Sequence, residues 1–145
     1  EEIFQILNKD NNLSIHLETF PNIPAKWENA KLFQKWDKLK TVRNVVNAAI
    51  EVKRASKEIG SSLEADIKVY LDKEYLEVSS GVDLSEYFIT SKAEVKPMTE
   101  DNNFFKLKDI ENVKVLVKRA KGEKCSRCWK ILENPCERNN CGLKN

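Results

Sequence analysis

The chain has 145 residues, of which 41% are hydrophobic and 33% charged, a composition typical of a soluble globular protein. The formal net charge is only +2, so overall charge does not single out a nucleic-acid-binding protein. No apolar run approaches the roughly 20 residues needed to cross a bilayer, and no signal peptide is visible, so we expect a cytoplasmic protein with no membrane partner.

The first part of the chain predicts a short helix and then an extended segment. Residues 1–7 resemble the closing turns of a helix, and because the chain starts without methionine we expect a piece of a longer protein. Residues 13–20 are expected to be extended, ending at Pro21 and Pro24. His16 lies in this segment, where we interpret it as an ordinary surface or half-buried histidine.

A long helix should follow the two prolines. Apolar residues recur at spacings of three and four from Trp27 through Trp36 to Ala49, the pattern of one buried helix face. Both tryptophans lie on this pattern and are therefore expected in the core. Gly60 is expected to end the helix as the glycine beyond its last turn.

Beyond Gly60 the hydrophobic period changes to two, which predicts a small mixed α/β unit. We expect a short helix over residues 73–79, ended by Gly81, and a polar loop over 96–103. The predicted strands are 65–71, 87–90, 104–107 and 113–117. The expected fold class is therefore α+β, in which a long helix from a helical bundle precedes this unit and a C-terminal zinc knuckle. The expected domains are residues 1–60, 61–120 and 121–145.

All four cysteines lie near the C-terminus, at Cys125, Cys128, Cys136 and Cys141. Two thiols separated by two residues, followed by a second pair, are typical of a tetrahedral metal site. This pattern predicts one structural Zn²⁺, with no open position for a catalytic water. Two disulfides, a thioredoxin-like redox pair and an iron–sulfur centre remain alternatives.

A basic segment leads into these cysteines. Seven Lys or Arg and one acid lie between Lys114 and Lys130. Single-stranded nucleic acid is bound by aromatic faces beside cations, so this segment is a candidate contact surface. The candidate residues are Lys118, Arg119, Lys121, Lys124, Arg127, Trp129 and Lys130. The alternatives are a solvated charged surface and, for Trp129, packing over the knuckle and Val117.

Motifs for catalysis are missing from the sequence. The four glycines form no phosphate-binding loop, and the single histidine has no convincing nucleophile partner. We therefore expect no catalytic residues in this chain.

Several stretches, in order along the chain, resemble the C-terminal region of bacterial-type isoleucyl-tRNA synthetase. They read EEIFQIL, SIHLETFP, KWDKLKTVRNVVNAAIEVKRASKEIGSSLEADIKVYL, LSEYFITSKAEV and AKGEKCSRCWKI. The IGSSLEA segment and the GEKCxRCW knuckle are the most specific of these. The second cysteine pair departs from the family, which usually separates it by two residues and not four.

The resemblance implies a fragment of an ATP-dependent ligase that attaches isoleucine to its tRNA. It implies that the four cysteines bind Zn²⁺ and that Trp129 lies near the anticodon. The implied partners are the isoleucine tRNA and the rest of the synthetase chain, and we expect a monomer. Two alternatives are the zinc finger of a DNA-repair glycosylase and a scaffold domain that zinc only stabilises.

Overall fold

A computed structural model describes residues 1–8, 13–100, 103–134 and 136 of the chain. The chain divides into two compact units, Glu1–Ala30 and Lys31–Asn145. Within the described ranges, no helix combines the length and apolar content required to span a membrane.

The first unit contains helix α1, Glu2–Leu7, and two single turns of 3₁₀-helix, Ile15–Leu17 and Ala25–Trp27. The predicted helix at residues 1–7 is confirmed. The extended segment predicted for residues 13–20 is wrong at its centre, because the Ser14 side chain accepts a hydrogen bond from the His16 N–H and starts a turn there.

Helix α2, Ala30–Ala55, lies in the second unit except for its first residue. Its buried positions begin at Leu39 and keep the predicted spacing of three and four: Leu39, Val42, Val45, Val46, Ala49 and Ile50. The prediction of core tryptophans is not met, since Trp27 precedes the helix and is 70% exposed, while Trp36 is 38% exposed. Trp36 contacts the Tyr87 ring in a tilted arrangement, with 5.4 Å between the ring centroids.

The end of α2 differs from the prediction that Gly60 terminates it. The left-handed residue is Lys57, with φ of 60°. Its N–H donates to the carbonyl of Arg54, and the N–H of Glu58 donates to the carbonyl of Lys53. These two bonds form a Schellman motif with lysine in the place that glycine usually takes. An ion pair between Lys53 and Glu58 spans the same turn at 2.8 Å.

A four-stranded mixed sheet follows, with strand order β2-β1-β4-β3. Its strands are β1 (Ala65–Leu71), β2 (Lys92–Pro97), β3 (Phe105–Leu107) and β4 (Ile110–Arg119). Strand β1 is parallel to β2 and antiparallel to β4, and β3 is antiparallel to β4. A second, two-stranded sheet pairs β5 (Glu123–Lys124) with β6 (Ile131–Leu132).

One face of the large sheet packs with α2 in a single hydrophobic core. Alternate residues of β1 and β4 are buried there, including Ile67, Val69, Val113, Val115 and Val117. The period-two pattern of these segments had predicted this alternation, so both strands are confirmed. The observed elements confirm the predicted α+β class.

Two short helices lie between β1 and β2. Helix α3, Lys73–Ser79, is confirmed, with Asp72 as its N-cap. The strand predicted at 87–90 is wrong, because Asp83 accepts from the N–H groups of Ser85 and Glu86 and starts helix α4, Leu84–Tyr87. Strand β2, Lys92–Pro97, was not predicted, and its last two residues lie in the segment 96–103 that was predicted to be a polar loop.

Candidate functional site

The two-stranded sheet, the ribbon β5–β6, carries the cysteine segment. Glu123 pairs with Leu132 and Lys124 with Ile131. Gly122 precedes the ribbon with φ of 114°, and a Cβ at this position would lie 2.0 Å from the Leu132 carbonyl oxygen. Only glycine permits this approach of the two backbones. The ribbon therefore depends on a residue without a side chain.

A tight turn joins the two strands of the ribbon. The Cys125 N–H donates to the carbonyl of Lys130, and the Trp129 N–H donates to the carbonyl of Cys125, each at 2.9 Å. Trp129 closes the turn in a left-handed conformation, with φ of 63°. These bonds form the knuckle that the first cysteine pair predicts.

The knuckle brings two cysteines together with a third from the following segment. The Sγ atoms of Cys125, Cys128 and Cys136 all lie within 4.8 Å of one another. Those of Cys128 and Cys136 are 3.8 Å apart, far beyond the roughly 2.05 Å of a disulfide bond. Tetrahedral zinc with Zn–S bonds of about 2.3 Å places its sulfurs about 3.8 Å apart. This cysteine cluster therefore fits a metal ion, and Cys141 lies outside the described residues.

Trp129 presents its indole ring at the surface beside the cysteine cluster. The side chain is 60% exposed, so packing over the knuckle accounts for only part of it. The Lys124 ammonium lies 5.8 Å from the centroid of the ring, a cation–π contact. Arg127 is exposed in the same turn. An aromatic ring and two cations therefore lie next to Cys125 and Cys128 in the sequence of the knuckle.

Lys130 is placed differently from the other predicted contact residues. Its side chain is only 11% exposed, and its ammonium lies 2.5 Å from a carboxylate oxygen of Glu86 at the end of α4. The Ser85 hydroxyl accepts a second, longer bond at 3.4 Å. Lys130 therefore connects the ribbon to α4, a role that its position in the basic run did not indicate.

Ser91 forms a second connection between the ribbon and the sheet. Its hydroxyl donates to the Leu63 carbonyl and accepts from the Ile131 N–H at 2.7 Å. Ser91, Glu86 and Leu63 were not predicted as site residues. Their partners lie 28 to 45 positions away in the chain, so no local pattern announces them.

The other predicted cations lie where β4 ends. Lys118 and Lys121 are exposed. Arg119 is also exposed, 3.8 Å from a carboxylate oxygen of Glu64, and the Ala120 N–H donates to the Glu64 carbonyl. With the ribbon these residues border a cleft of about 470 Å³, the basic cleft. Its lining residues are Asp66, Ser91, Lys92, Lys118, Arg119, Ala120, Lys121, Ile131, Leu132, Glu133 and Asn134.

Comparison with known proteins gives consistent results. No protein-family model matches the chain. The isoleucine–tRNA ligase of Pelagibacter ubique (strain HTCC1062) is 45% identical over 138 residues, which are 95% of this chain and 14% of the relative. Those of Brucella abortus biovar 1 (strain 9-941) and Rhodopseudomonas palustris (strain ATCC BAA-98 / CGA009) are 44% and 38% identical over 82% and 92% of the chain.

The chain thus spans 12–14% of the length of these relatives. Each alignment includes most of the 145 residues. The sequence therefore belongs to the isoleucine–tRNA ligase family and corresponds to one segment of its members.

Proposed function

We propose that this chain is the C-terminal, tRNA-binding segment of an isoleucine–tRNA ligase. The complete cytoplasmic enzyme attaches isoleucine to its tRNA with ATP, and this segment contacts the anticodon end without catalytic residues of its own. Residues 1–60 close the anticodon-binding helical bundle, 61–120 form a junction domain and 121–145 form the zinc-binding domain. The names of the relatives support the reaction, and the described site supports the binding role.

The proposed cofactor is one structural Zn²⁺, bound by the thiolates of Cys125, Cys128, Cys136 and Cys141. The described cysteine cluster supports this choice, because zinc prefers thiolate ligands in tetrahedral geometry. Four protein ligands leave no site for a reactive water. The ion would hold the knuckle in shape, and the knuckle would present Trp129.

The observation that carries the proposal is the exposed indole of Trp129 on this knuckle, with Lys124 against its face. Unpaired bases of an RNA loop stack on such rings, and each stacked base contributes roughly 1–3 kcal/mol to binding. The left-handed backbone of Trp129 is unfavourable for a tryptophan, and strain of this kind is concentrated at functional sites.

The cations divide into two groups in this proposal. Exposed cations around the knuckle and at the end of β4 would contact phosphates: Lys118, Arg119, Lys121, Lys124 and Arg127. Lys130 was grouped with them from sequence, but its ion pair with Glu86 supports a role in positioning the ribbon. Its contribution to RNA binding would then be indirect.

Binding of the 145-residue chain to isoleucine tRNA, a second tRNA and duplex DNA, measured over a salt series, tests the proposal. We expect preference for isoleucine tRNA, and Trp129→Ala should weaken that binding by about tenfold, the loss of one stacked base. Ile89→Ala is the matched control, since Ile89 is also exposed and left-handed but carries no aromatic ring.

Equal, steeply salt-dependent binding to all three nucleic acids, unchanged by Trp129→Ala, would contradict the proposal, because only general phosphate attraction would remain. Preference for duplex DNA would favour the repair-glycosylase finger.

A further inference from the structure

The large sheet has a helix side and an outer face. Residues of α2, α3 and α4 all pack in the hydrophobic core with alternate residues of β1 and β4. The residues between them in these two strands are exposed or half-buried. Because successive side chains of a strand point to opposite faces, these residues project from the side of the sheet away from the core, the outer face.

Lysines dominate the outer face. Its cross-strand neighbours form three rows across β2, β1 and β4, namely Lys92–Asp66–Lys118, Glu94–Lys68–Leu116 and Lys96–Tyr70–Lys114. These rows contain five lysines and two carboxylates. Glu94 forms ion pairs with both Lys68 and Lys96, at 3.6 and 3.1 Å, but it offsets only one of their two charges. The outer face therefore carries excess positive charge and is complementary to a polyanion.

A stacked aromatic pair lies at one end of the outer face. The rings of Tyr70 and Phe104 are nearly parallel, with 14° between their planes and 4.4 Å between their centroids. Both residues are half-buried, so part of the pair is exposed. Lys114 donates to the Thr99 carbonyl at 2.7 Å, which leaves Lys96 as the neighbouring cation for a ligand. Aromatic rings beside cations on a sheet are typical of surfaces that bind unpaired RNA bases.

The outer face is continuous with the basic cleft. Lys92 and Lys118 both line this cleft, and both are exposed. Their row is centred on Asp66, four residues before Tyr70 on β1, a separation of about 13 Å along the strand. A short single strand can therefore contact the exposed lysines and the aromatic pair together.

We propose that the outer face of the large sheet binds single-stranded RNA. One base packs on the exposed part of the Tyr70–Phe104 pair, and phosphates lie beside Lys68, Lys92 and Lys118. An acidic polypeptide would match the lysines equally well, but it has no bases to stack, so the aromatic pair favours RNA. This inference rests on the proposed RNA-binding function and adds a surface separate from the knuckle.

Fluorescence anisotropy with a labelled uridylate decamer, at fixed salt, tests the aromatic contact on the 145-residue chain. Tyr70→Leu keeps an apolar side chain but removes the ring, and it should weaken binding by about tenfold, the loss of one stacked base. The same factor is expected in the Trp129→Ala background, because contacts that share no partner contribute independently. Tyr75→Leu is the matched control, a half-buried tyrosine of α3 on the helix side, and should leave binding unchanged.

Two ion-paired lysines allow a matched test of the phosphate contacts. Lys68 is 38% exposed and pairs with Glu94 on the outer face, while Lys38 is 36% exposed and pairs with Glu74 on the helix side. Lys68→Gln should reduce the slope of log affinity against log salt by about 0.7, the value for one phosphate of a single strand. Lys38→Gln should leave the slope unchanged. Circular dichroism of each variant checks that the fold is retained.

Three results would overturn the inference while leaving the proposed function intact. The first is specific binding of isoleucine tRNA, weakened by Trp129→Ala, together with decamer binding that neither Tyr70→Leu nor Lys68→Gln alters. The second is a loss of decamer affinity in Tyr75→Leu and Lys38→Gln as large as that in the outer-face variants. The third is binding of polyglutamate as tight as that of the decamer, which would assign the outer face to an acidic polypeptide. Absence of binding to every RNA would refute the proposed function as well.

Discussion

Three described residues other than glycine adopt a left-handed backbone: Lys57, Ile89 and Trp129. Each lies where the chain changes direction, after α2, after α4 and within the knuckle. This conformation costs an L-residue roughly 1–2 kcal/mol because Cβ approaches the following carbonyl. The surrounding hydrogen bonds must therefore hold these positions in place.

Lys57 permits a direct measurement of that cost. Lys57→Gly should raise the free energy of unfolding by about 1 kcal/mol, because glycine fits the left-handed position of the Schellman motif without strain. Lys40→Gly, in the interior of α2, is the matched control and should lower stability by about 1 kcal/mol. Urea unfolding followed by circular dichroism measures both, and a loss of stability in Lys57→Gly would contradict the assignment.

The N-cap of α4 should make stability depend on pH. Hydrogen bonds from the Ser85 side chain and then the Glu86 N–H lower the pKa of Asp83 below its ordinary value of 3.8. A group with a lowered folded pKa stabilises the fold fully above its unfolded pKa, and this contribution is lost as pH falls through the folded pKa. Stability should therefore decline below about pH 4.

Unfolding midpoints between pH 7 and pH 2 test the role of Asp83. Asp83→Ala should cost about 1 kcal/mol at pH 7, the usual value of an N-cap, and should flatten the decline at acid pH. Asp37→Asn, at an exposed position in α2, serves as the control. An unaltered acid profile in Asp83→Ala would exclude this carboxylate as a source of the pH dependence.

Among the elements, the ribbon has the strictest sequence requirement. Gly122→Ala should disrupt β5–β6 and weaken metal binding at least tenfold, because the added Cβ would overlap the Leu132 carbonyl. Gly81→Ala is the matched control: Gly81 also has a positive φ, of 74°, but no atom lies within 4 Å of the added Cβ. Zinc titration monitored by amide NMR measures both, and normal zinc affinity in Gly122→Ala would contradict the described ribbon.

Helices and strands with a strong hydrophobic periodicity were predictable from the sequence. Elements whose conformation depends on capping, burial or pairing with another strand were not. Alternation identified β1 and β4, whose faces differ in burial. Residues 87–90 have the composition of a strand, yet the Asp83 cap and the burial of Leu84 and Phe88, four residues apart, favour a helical turn. Strand β2 escaped detection because it is a charged edge strand, defined by pairing with β1.

Prediction of the site was likewise limited to residues that form a pattern along the sequence. The two-residue interval between Cys125 and Cys128 announced the cysteine cluster, and the basic run identified the residues at the cleft opening. The position of Asp66 in the basic cleft and the hydrogen bond between Ser91 and the ribbon arise from segments that only the fold brings together. The burial of Lys130 could not be predicted for the same reason, because its partner Glu86 is distant in sequence.

At the scale of the whole molecule, the core of the second unit is independent of the ribbon. The described core extends from Leu39 to Val117 and includes no cysteine. Removal of the metal with a chelator should therefore unfold residues 124–145 while α2 and the large sheet persist. Amide NMR during chelator titration measures this, and undisturbed ribbon signals after complete metal removal would refute a structural role for zinc.

The Ser91 hydroxyl and the Lys130–Glu86 pair together have a geometric consequence. They restrain adjacent residues of the ribbon, so its angle to the large sheet is restrained at two points. Under the proposed function, an RNA strand that contacts Trp129 would therefore meet a ribbon whose orientation is already fixed before binding.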